Sequence, residues 1–427
     1  MPENRSISAF QTVSQLAGQR AVHRAFQWFH LQELKLREWH RQIASIPSPP
    51  FGEGARAQWL ADRFIALGLE DVHIDDCGNT LGYIRGTGHG DSQAEIFAPR
   101  PCILLSAHLD TVFPSDVFGN LTQEGNRLFG PSVSDNCVGL TALLGIAASM
   151  RSADLQPEND ILFAGNVGEE GEGNLRGMRY LFTESPVAAT IRAAVVLDGA
   201  GTDSVVSHAL GSKRFQVTIA GPGGHSWTDA GAPNPILVLA NALADLGKMQ
   251  IPESPRTTWN VGHVEGGTSI NAIPQSVEAR IDTRSTDPTV LGQLEKEIVR
   301  SIDDAVQDAN ARPKRTLNEG KNPPGVTFQI ETIGERPAAA LRGDAEILTI
   351  LRAVDRHLGI PSQPRIASTD ANIPLSLGIE AVSIGGGGTG GGIHTLQEWF
   401  DATGRELALR RILLLVLALS QTEIDER

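Results

Sequence analysis

The chain has 427 residues, 41% of them hydrophobic and 20% charged, with a net charge of −14. That length exceeds one ordinary hydrophobic core and predicts two domains, while the acidic balance, with no basic cluster against it, argues against a nucleic-acid surface. Cys77, Cys102 and Cys137 are too few and too scattered for a disulfide framework or a Cys-rich zinc site, so reduced thiols are expected.

In chain order, residues 20–46 place Trp28, Phe29, Leu31, Leu34, Leu36 and Trp39 among charges at helical spacing, which predicts a helix and not a secretion signal. No uncharged run reaches the ~20 residues that span a bilayer. The apolar run 412–419 covers one or two helical turns and predicts a buried helix. The chain therefore reads as cytoplasmic, with no membrane partner. Residues 46–53, rich in Pro and Ser, form a loop before a helix ending at Leu67-Gly68. Residues 72–75 and 81–84 read as strands around a turn at Gly78-Asn79. Continuous apolar runs at 103–106, 161–164 and 193–197 predict buried strands, and the small residues of 139–150 a helix between the first two. Such alternation predicts an α/β fold with a mostly parallel sheet covered by helices.

The pattern changes near Ser207. Residues 214–220 alternate as a half-exposed strand, 235–246 read as a helix, and 257–265 and 277–283 as strands. A helix at 291–310, a Pro- and charge-rich loop at 312–324 and a strand at 326–333 follow. This order describes an α+β insert of the split βαβ kind. The first pattern resumes with a helix at 345–358, a strand at 381–384 and the terminal helix. The expected organisation is a catalytic domain in two parts, 1–208 (with a helical extension at 1–45) and 336–427, carrying an inserted lid or dimerisation domain at 209–335.

Two strand ends carry the chemistry. Ser106-Ala107-His108-Leu109-Asp110-Thr111 closes one apolar run, and Glu169-Glu170 follows another. Open α/β sheets place their sites beyond the carboxyl ends of strands, and alternation points His108 and Asp110 the same way. Taken alone, the first stretch reads equally well as a polar turn. Asp135 alone would be a helix N-cap, and Asp198-Gly199 an ordinary turn. His394 follows eight residues, 385–392, of which all but Thr389 are glycine; such a run would let backbone approach a ligand closely. Its match to a dinucleotide-binding glycine pattern is uninformative, since so many glycines satisfy any glycine template. A P-loop and a His-Glu-x-x-His helix are both absent, and Gly224-His225-Ser226-Trp227-Thr228 lacks the closing glycine of a nucleophile elbow.

Taken in order, Ser106–Pro114 around His108-x-Asp110, Gly130-x(4)-Asp135-Asn136, Glu169-Glu170-Gly171, Asp198-Gly199 and Ile393-His394-Thr395 resemble the M20 family of dizinc metallopeptidases and amidohydrolases. Within the insert, Gly221-Pro222-Gly223-Gly224-His225-Ser226 resembles the family's lid histidine motif. Asn271-Ala272-Ile273-Pro274 and Asp282-Thr283-Arg284 resemble its substrate-contact segment, and Thr369–Asn372 a further segment near the site.

The resemblance implies two divalent metal ions, zinc foremost, with cobalt or manganese as alternatives. His108 and Asp198 would bind one ion, Glu170 and His394 the other, and Asp135 would bridge them. Glu169 would be the general base, and Asp110 would orient His108. His225 would stabilise the oxyanion, and Asn271 and Arg284 would grip the substrate. Arg280, four residues before Arg284 on the same face, is an alternative to it. The implied activity is hydrolysis of an amide bond in a small peptide, in a homodimer formed through the lid. A narrower N-acyl- or N-carbamoyl-amino-acid amidohydrolase and a catalytically silent peptide-binding protein are the alternatives. Asp198, where some relatives have His, leans toward the peptidase and deacylase branches. The lid motif differs from the Ala-His-Pro-Gly of tripeptidases, which leaves the substrate open.

Overall fold

A computed structural model of the chain describes residues 2–88, 100–119, 121–312 and 324–421. Two compact units emerge, one made of residues 1–209 and 340–427, the other of residues 210–339. The Pro- and charge-rich loop read at 312–324 falls largely outside the described residues.

The first unit is built on one large mixed sheet. Its main run is Glu70–Ile74, Thr80–Ile84, Asp160–Asn166, Cys102–His108, Ile191–Leu197, Glu380–Ile384 and Ser204–Ala209, with Gln363–Ala367 also paired to the last. The four strands from Asp160–Asn166 to Glu380–Ile384 are mutually parallel. Cys102–His108 and Asp160–Asn166 are buried along their whole length, which is why they read as unbroken apolar runs and not as alternating ones. Helices Cys137–Ser152 and Arg405–Ser420 pack on Cys102–His108. The first is buried on every side from Cys137 to Met150, as expected of a helix with no solvent face. The second contains the 412–419 run, buried as the sequence predicts. Among the described residues no helix is long and apolar enough to cross a membrane.

Three N-terminal helices, Pro2–Ala17, Arg20–Leu31 and Glu33–Ala44, cover this unit. The second and third pack on Cys137–Ser152, and the first on Glu346–Leu358 and Arg405–Ser420. All three cysteines are free thiols.

A small antiparallel sheet was not legible in the sequence. It orders Thr389–Gly391, Trp399–Asp401, Arg127–Phe129 and Thr122–Glu124. The glycine run supplies one of its edges, which corrects the reading of that run as a ligand-approach loop. A Cβ on Gly390 would collide with Ser134 Oγ, and one on Gly388 with the Asp401 carbonyl and the Phe400 ring. These glycines let backbone approach protein.

In the second unit an antiparallel sheet orders Thr257–Gly266, Ser276–Ser285, Gly211–Ala220 and Thr327–Arg336. Phe215, Val217, Ile219, Val277, Ala279 and Ile281 form a buried face against Val238, Leu239 and Ala242 of helix Pro235–Leu246 and Ile298 and Ile302 of helix Pro288–Ala311. Both helices begin with proline after a capping side chain: Asn234 accepts from Ile236 N–H and Asp287 from Thr289 N–H.

Candidate metal centre

His108 ends the central strand and is 1% exposed. Its Nδ1 lies 3.0 Å from the Asp110 carbonyl oxygen, an acceptor only, so Nδ1 carries the proton and Nε2 faces the acids. Nε2 is 3.0 Å from Asp135 Oδ1 and 3.8 Å from Asp198 Oδ1. Burial alone would depress this imidazole's pKa, but contacts with Asp110, Asp135 and Asp198 override it and hold the pKa well above the usual value.

Asp135 lies in a loop ahead of helix Cys137–Ser152, and its peptide bond to Asn136 is cis. The helix cap is Asn136: its Oδ1 accepts from Gly139 N–H at 3.0 Å and Gly199 N–H at 3.2 Å, and its Nδ2 donates to the Leu197 carbonyl at 2.8 Å. The Asp135 carboxylate is thereby released from capping. It turns one oxygen to each of two imidazoles, Oδ1 to His108 and Oδ2 to His394 Nε2 at 3.1 Å. Burial would raise its pKa, but these two histidines hold it well below the carboxylate range.

His394 sits at φ 62° and is half-exposed. Its Nε2 also meets Glu170 Oε1 at 3.0 Å. Hydrogen bonds to Asp135 and then Glu170 push its pKa up to about 10. Asp198 is anchored by its own N–H, which donates to the Ile384 carbonyl of the neighbouring parallel strand at 3.0 Å. Ligand-capable atoms of His108, Asp135 and Glu170 all lie within 4.8 Å of one another.

Asp110 has a broader part than its sequence reading gave it. Its carboxylate Oδ1 stands 3.7 Å from His108 Nδ1, while its two oxygens accept the backbone N–H groups of Glu169 at 2.9 Å and Glu170 at 2.7 Å. One buried carboxylate thus fixes the backbone of the tandem acid pair. Its own main-chain carbonyl holds the imidazole.

The second unit holds His225, Asn271 and Arg284. His225 pairs with Ala272 in a two-residue antiparallel ladder, and the Asn271 carbonyl accepts Ser226 N–H at 2.9 Å, so His225 and Asn271 are brought together. The His225 backbone N–H donates to Asp229 Oδ2 at 2.7 Å, and its Nδ1 accepts Trp227 N–H at 3.1 Å. Arg284 lies eight residues beyond Ser276 on strand Ser276–Ser285, roughly 26 Å along the strand. Within the unit it is therefore not near that ladder. Its Nε donates to Asp282 at 2.8 Å, and Arg280 Nε to Glu278 at 3.0 Å.

Two buried groups near the acids, Glu398 and Arg56, were not singled out from sequence, and a third, Asp370, lies in a segment that was. The Glu398 carboxylate accepts backbone N–H groups from Ser132 at 3.2 Å, Ser134 at 2.7 Å and Asp135 at 2.8 Å; burial pushes its pKa up to about 7. Arg56, fully buried, donates to the Leu109 carbonyl at 2.8 Å and Ser132 Oγ at 3.2 Å. Asn166 donates to Asp370 Oδ2 at 2.6 Å, and its carbonyl accepts Leu109 N–H at 2.7 Å. Burial pushes the Asp370 pKa up to about 7. Asp370 lies in the Thr369–Asn372 segment noted in the sequence; the other two had only their distance of four residues from His394 and their place in a helix to mark them.

Two imidazoles and three carboxylates presenting nitrogen and oxygen to a common space form a donor set suited to borderline divalent metals. His108, Asp135 and Glu170 stand close enough together to share a divalent ion.

Residues 208–314 match the peptidase dimerisation domain family, and residues 91–218 match peptidase family M28. A probable carboxypeptidase of Uncinocarpus reesii is 25% identical over 331 residues, covering 71% of this chain and 73% of that protein. A tripeptidase from Staphylococcus aureus shares the fold at a TM-score of 0.71 and 20% identity, covering 91% of this chain and 99% of that one. A dipeptidase of Saccharomyces cerevisiae does so at 0.68 and 12% identity, covering 94% and 99%. The family-model and relative matches support a hydrolase acting on peptide bonds. The dimerisation-domain match and the shared fold agree with the family resemblance carried by the ordered motifs.

Proposed function

We propose that this protein is a two-metal peptidase that cleaves an amide bond of a small peptide, with zinc as the foremost candidate ion. The observation that carries this is the Asp135 carboxylate, which offers one oxygen toward each of two imidazoles. His108 and Asp198 would hold one ion, Glu170 and His394 the other, and Asp135 both. Divalent ions held there would supply Lewis-acid polarisation of the scissile carbonyl and a more acidic attacking water.

Glu169, 5% exposed, takes the proton of that water and passes it to the departing amine. Asp110 sets where Glu169 can reach, because it holds the Glu169 and Glu170 backbones together. His225 donates to the developing oxyanion and Asn271 binds the substrate carbonyl, while Arg284 binds a free carboxylate through its planar fork; because Arg284 lies far from the other two within one chain, the two subunits of the homodimer would supply them to one peptide. The dimerisation-domain match supports a homodimer. Screening dipeptides, tripeptides and N-acyl amino acids with the metal-loaded protein tests the reading. Hydrolysis of small peptides is expected; turnover of N-acyl amino acids alone would move the assignment to an amidohydrolase, and turnover of none would refute catalysis.

A further inference from the structure

The loop that presents Asp135 is gripped from a distant part of the chain. His40, on helix Glu33–Ala44, is 2% exposed, and its Nε2 lies 2.7 Å from the Val133 carbonyl oxygen. A carbonyl only accepts, so His40 is the donor. The ring stacks on Phe400 at 4.7 Å between centroids and 18° between planes. Val133 precedes Asp135 by two residues, and Phe400 follows Glu398 by two. His40 therefore touches both the loop carrying Asp135 and the strand next to the carboxylate that holds that loop's N–H groups.

The helix bearing His40 is itself fixed. Leu36, one turn earlier on the same face, packs so closely on helix Cys137–Ser152 that a Cβ on Gly145 would stand 3.2 Å from Leu36 Cδ2. Glu33 accepts from Arg405 at 2.9 Å. Burial, and then the Arg405 charge, hold the His40 pKa down at about 3, so the ring is neutral at physiological pH and remains a single-proton donor.

We propose that helix Glu33–Ala44 of the N-terminal extension is part of the apparatus that presents Asp135, with His40 as a positioning residue that fixes the Val133 carbonyl and stacks on Phe400. The inference rests on Asp135 being a metal ligand. Backbone at 132–135 is then held from both sides: His40 takes the Val133 carbonyl, and Glu398 takes the N–H groups of Ser132, Ser134 and Asp135. Partners behind a ligand tune metal affinity by fixing the ligand's orientation.

The test compares H40M, H40Q and H40A with V22A in the full chain. Met and Gln both fill the ring's space, but only Gln can donate to Val133. V22A removes a fully buried methyl pair from helix Arg20–Leu31, away from the loop. Zinc affinity of metal-free protein is measured by competition with a chromophoric chelator, alongside kcat and KM at saturating zinc and the urea midpoint. H40M and H40A should bind zinc about tenfold more weakly, H40Q should recover most of that, and kcat should return at saturating zinc. V22A should lower the urea midpoint and leave zinc affinity unchanged. Equal affinity in H40M and wild type, or an equal loss in H40Q and H40M, would overturn the proposal, as would a loss in V22A matching that in H40A. If H40A fails to fold, the H40M and H40Q pair still decides. Absence of zinc binding in the wild type would instead refute the metal reading.

Discussion

Glu398→Ala removes the acceptor of three backbone N–H groups, those of Ser132, Ser134 and Asp135. Ser132 and Ser134 are fully buried, so their donors have no direct route to bulk water. Each buried donor left without a partner costs about 1–3 kcal/mol. Water entering the vacated carboxyethyl space offsets part of that, leaving a loss of roughly 3–5 kcal/mol in the metal-free protein. Glu398→Gln separates charge from shape. Its amide oxygen can replace Oε1 and keep the Ser134 and Asp135 bonds, while its NH2 faces the Ser132 N–H as a second donor. The expected cost is about 1–2 kcal/mol. Urea unfolding of chelator-treated protein measures both, and a zinc competition titration should show E398A weakened about 10- to 100-fold with E398Q between it and wild type. An E398A protein with the wild-type unfolding midpoint and wild-type zinc affinity would refute the role given to this carboxylate.

Glu169→Gln should retain zinc and lose turnover by a factor of about 10²–10⁴, measured as kcat beside metal content; unchanged turnover would remove Glu169 from proton transfer. Asp110→Asn forces one oxygen's worth of acceptor away from the Glu169–Glu170 backbone, and a fall in kcat is expected with the zinc content intact. Arg284→Met should raise KM by about 10- to 100-fold for peptides with a free carboxylate and spare their amidated analogues, whereas Arg280→Met should not; the reverse result would exchange the two. His40 gives the pH dependence. Its folded pKa of about 3 lies below the ordinary 6.5, so between those values the unfolded chain binds the extra proton. Stability is therefore complete above pH 6.5 and declines as pH falls toward 3, by roughly 5 kcal/mol in all. H40Q should flatten that acid limb in metal-free unfolding curves, and an unchanged slope would contradict it.

The parts of this molecule that were legible in the sequence share one physical cause. Strands buried on both faces, such as Cys102–His108 and Asp160–Asn166, must be apolar throughout, so their positions and the chemistry at their ends stand out. The inserted unit announced itself by alternation, since Ser276–Ser285 buries only every second residue. Short strands such as Arg127–Phe129 bury little and carry no such pattern. Gln363–Ala367, at the sheet's far side, carries no pattern for the same reason, being almost wholly exposed, whereas Ser204–Ala209 is largely buried but mixes Ser207 and His208 into a short run. Within the site, Asp135 taken alone reads as the helix cap, and only packing shows that Asn136 takes the helix and leaves Asp135 its two oxygens. Glu398 could not be found from spacing because its partners lie more than 260 residues away. His40 was hidden in an amphipathic helix for the same reason.

The most direct test of the two-metal account is the metal content of protein purified without chelator, read by elemental analysis together with peptidase activity before and after metal removal. The account predicts about two equivalents of divalent metal per chain, activity lost on chelation and restored by zinc. Less than one equivalent, not recovered on adding zinc, cobalt or manganese, would contradict it.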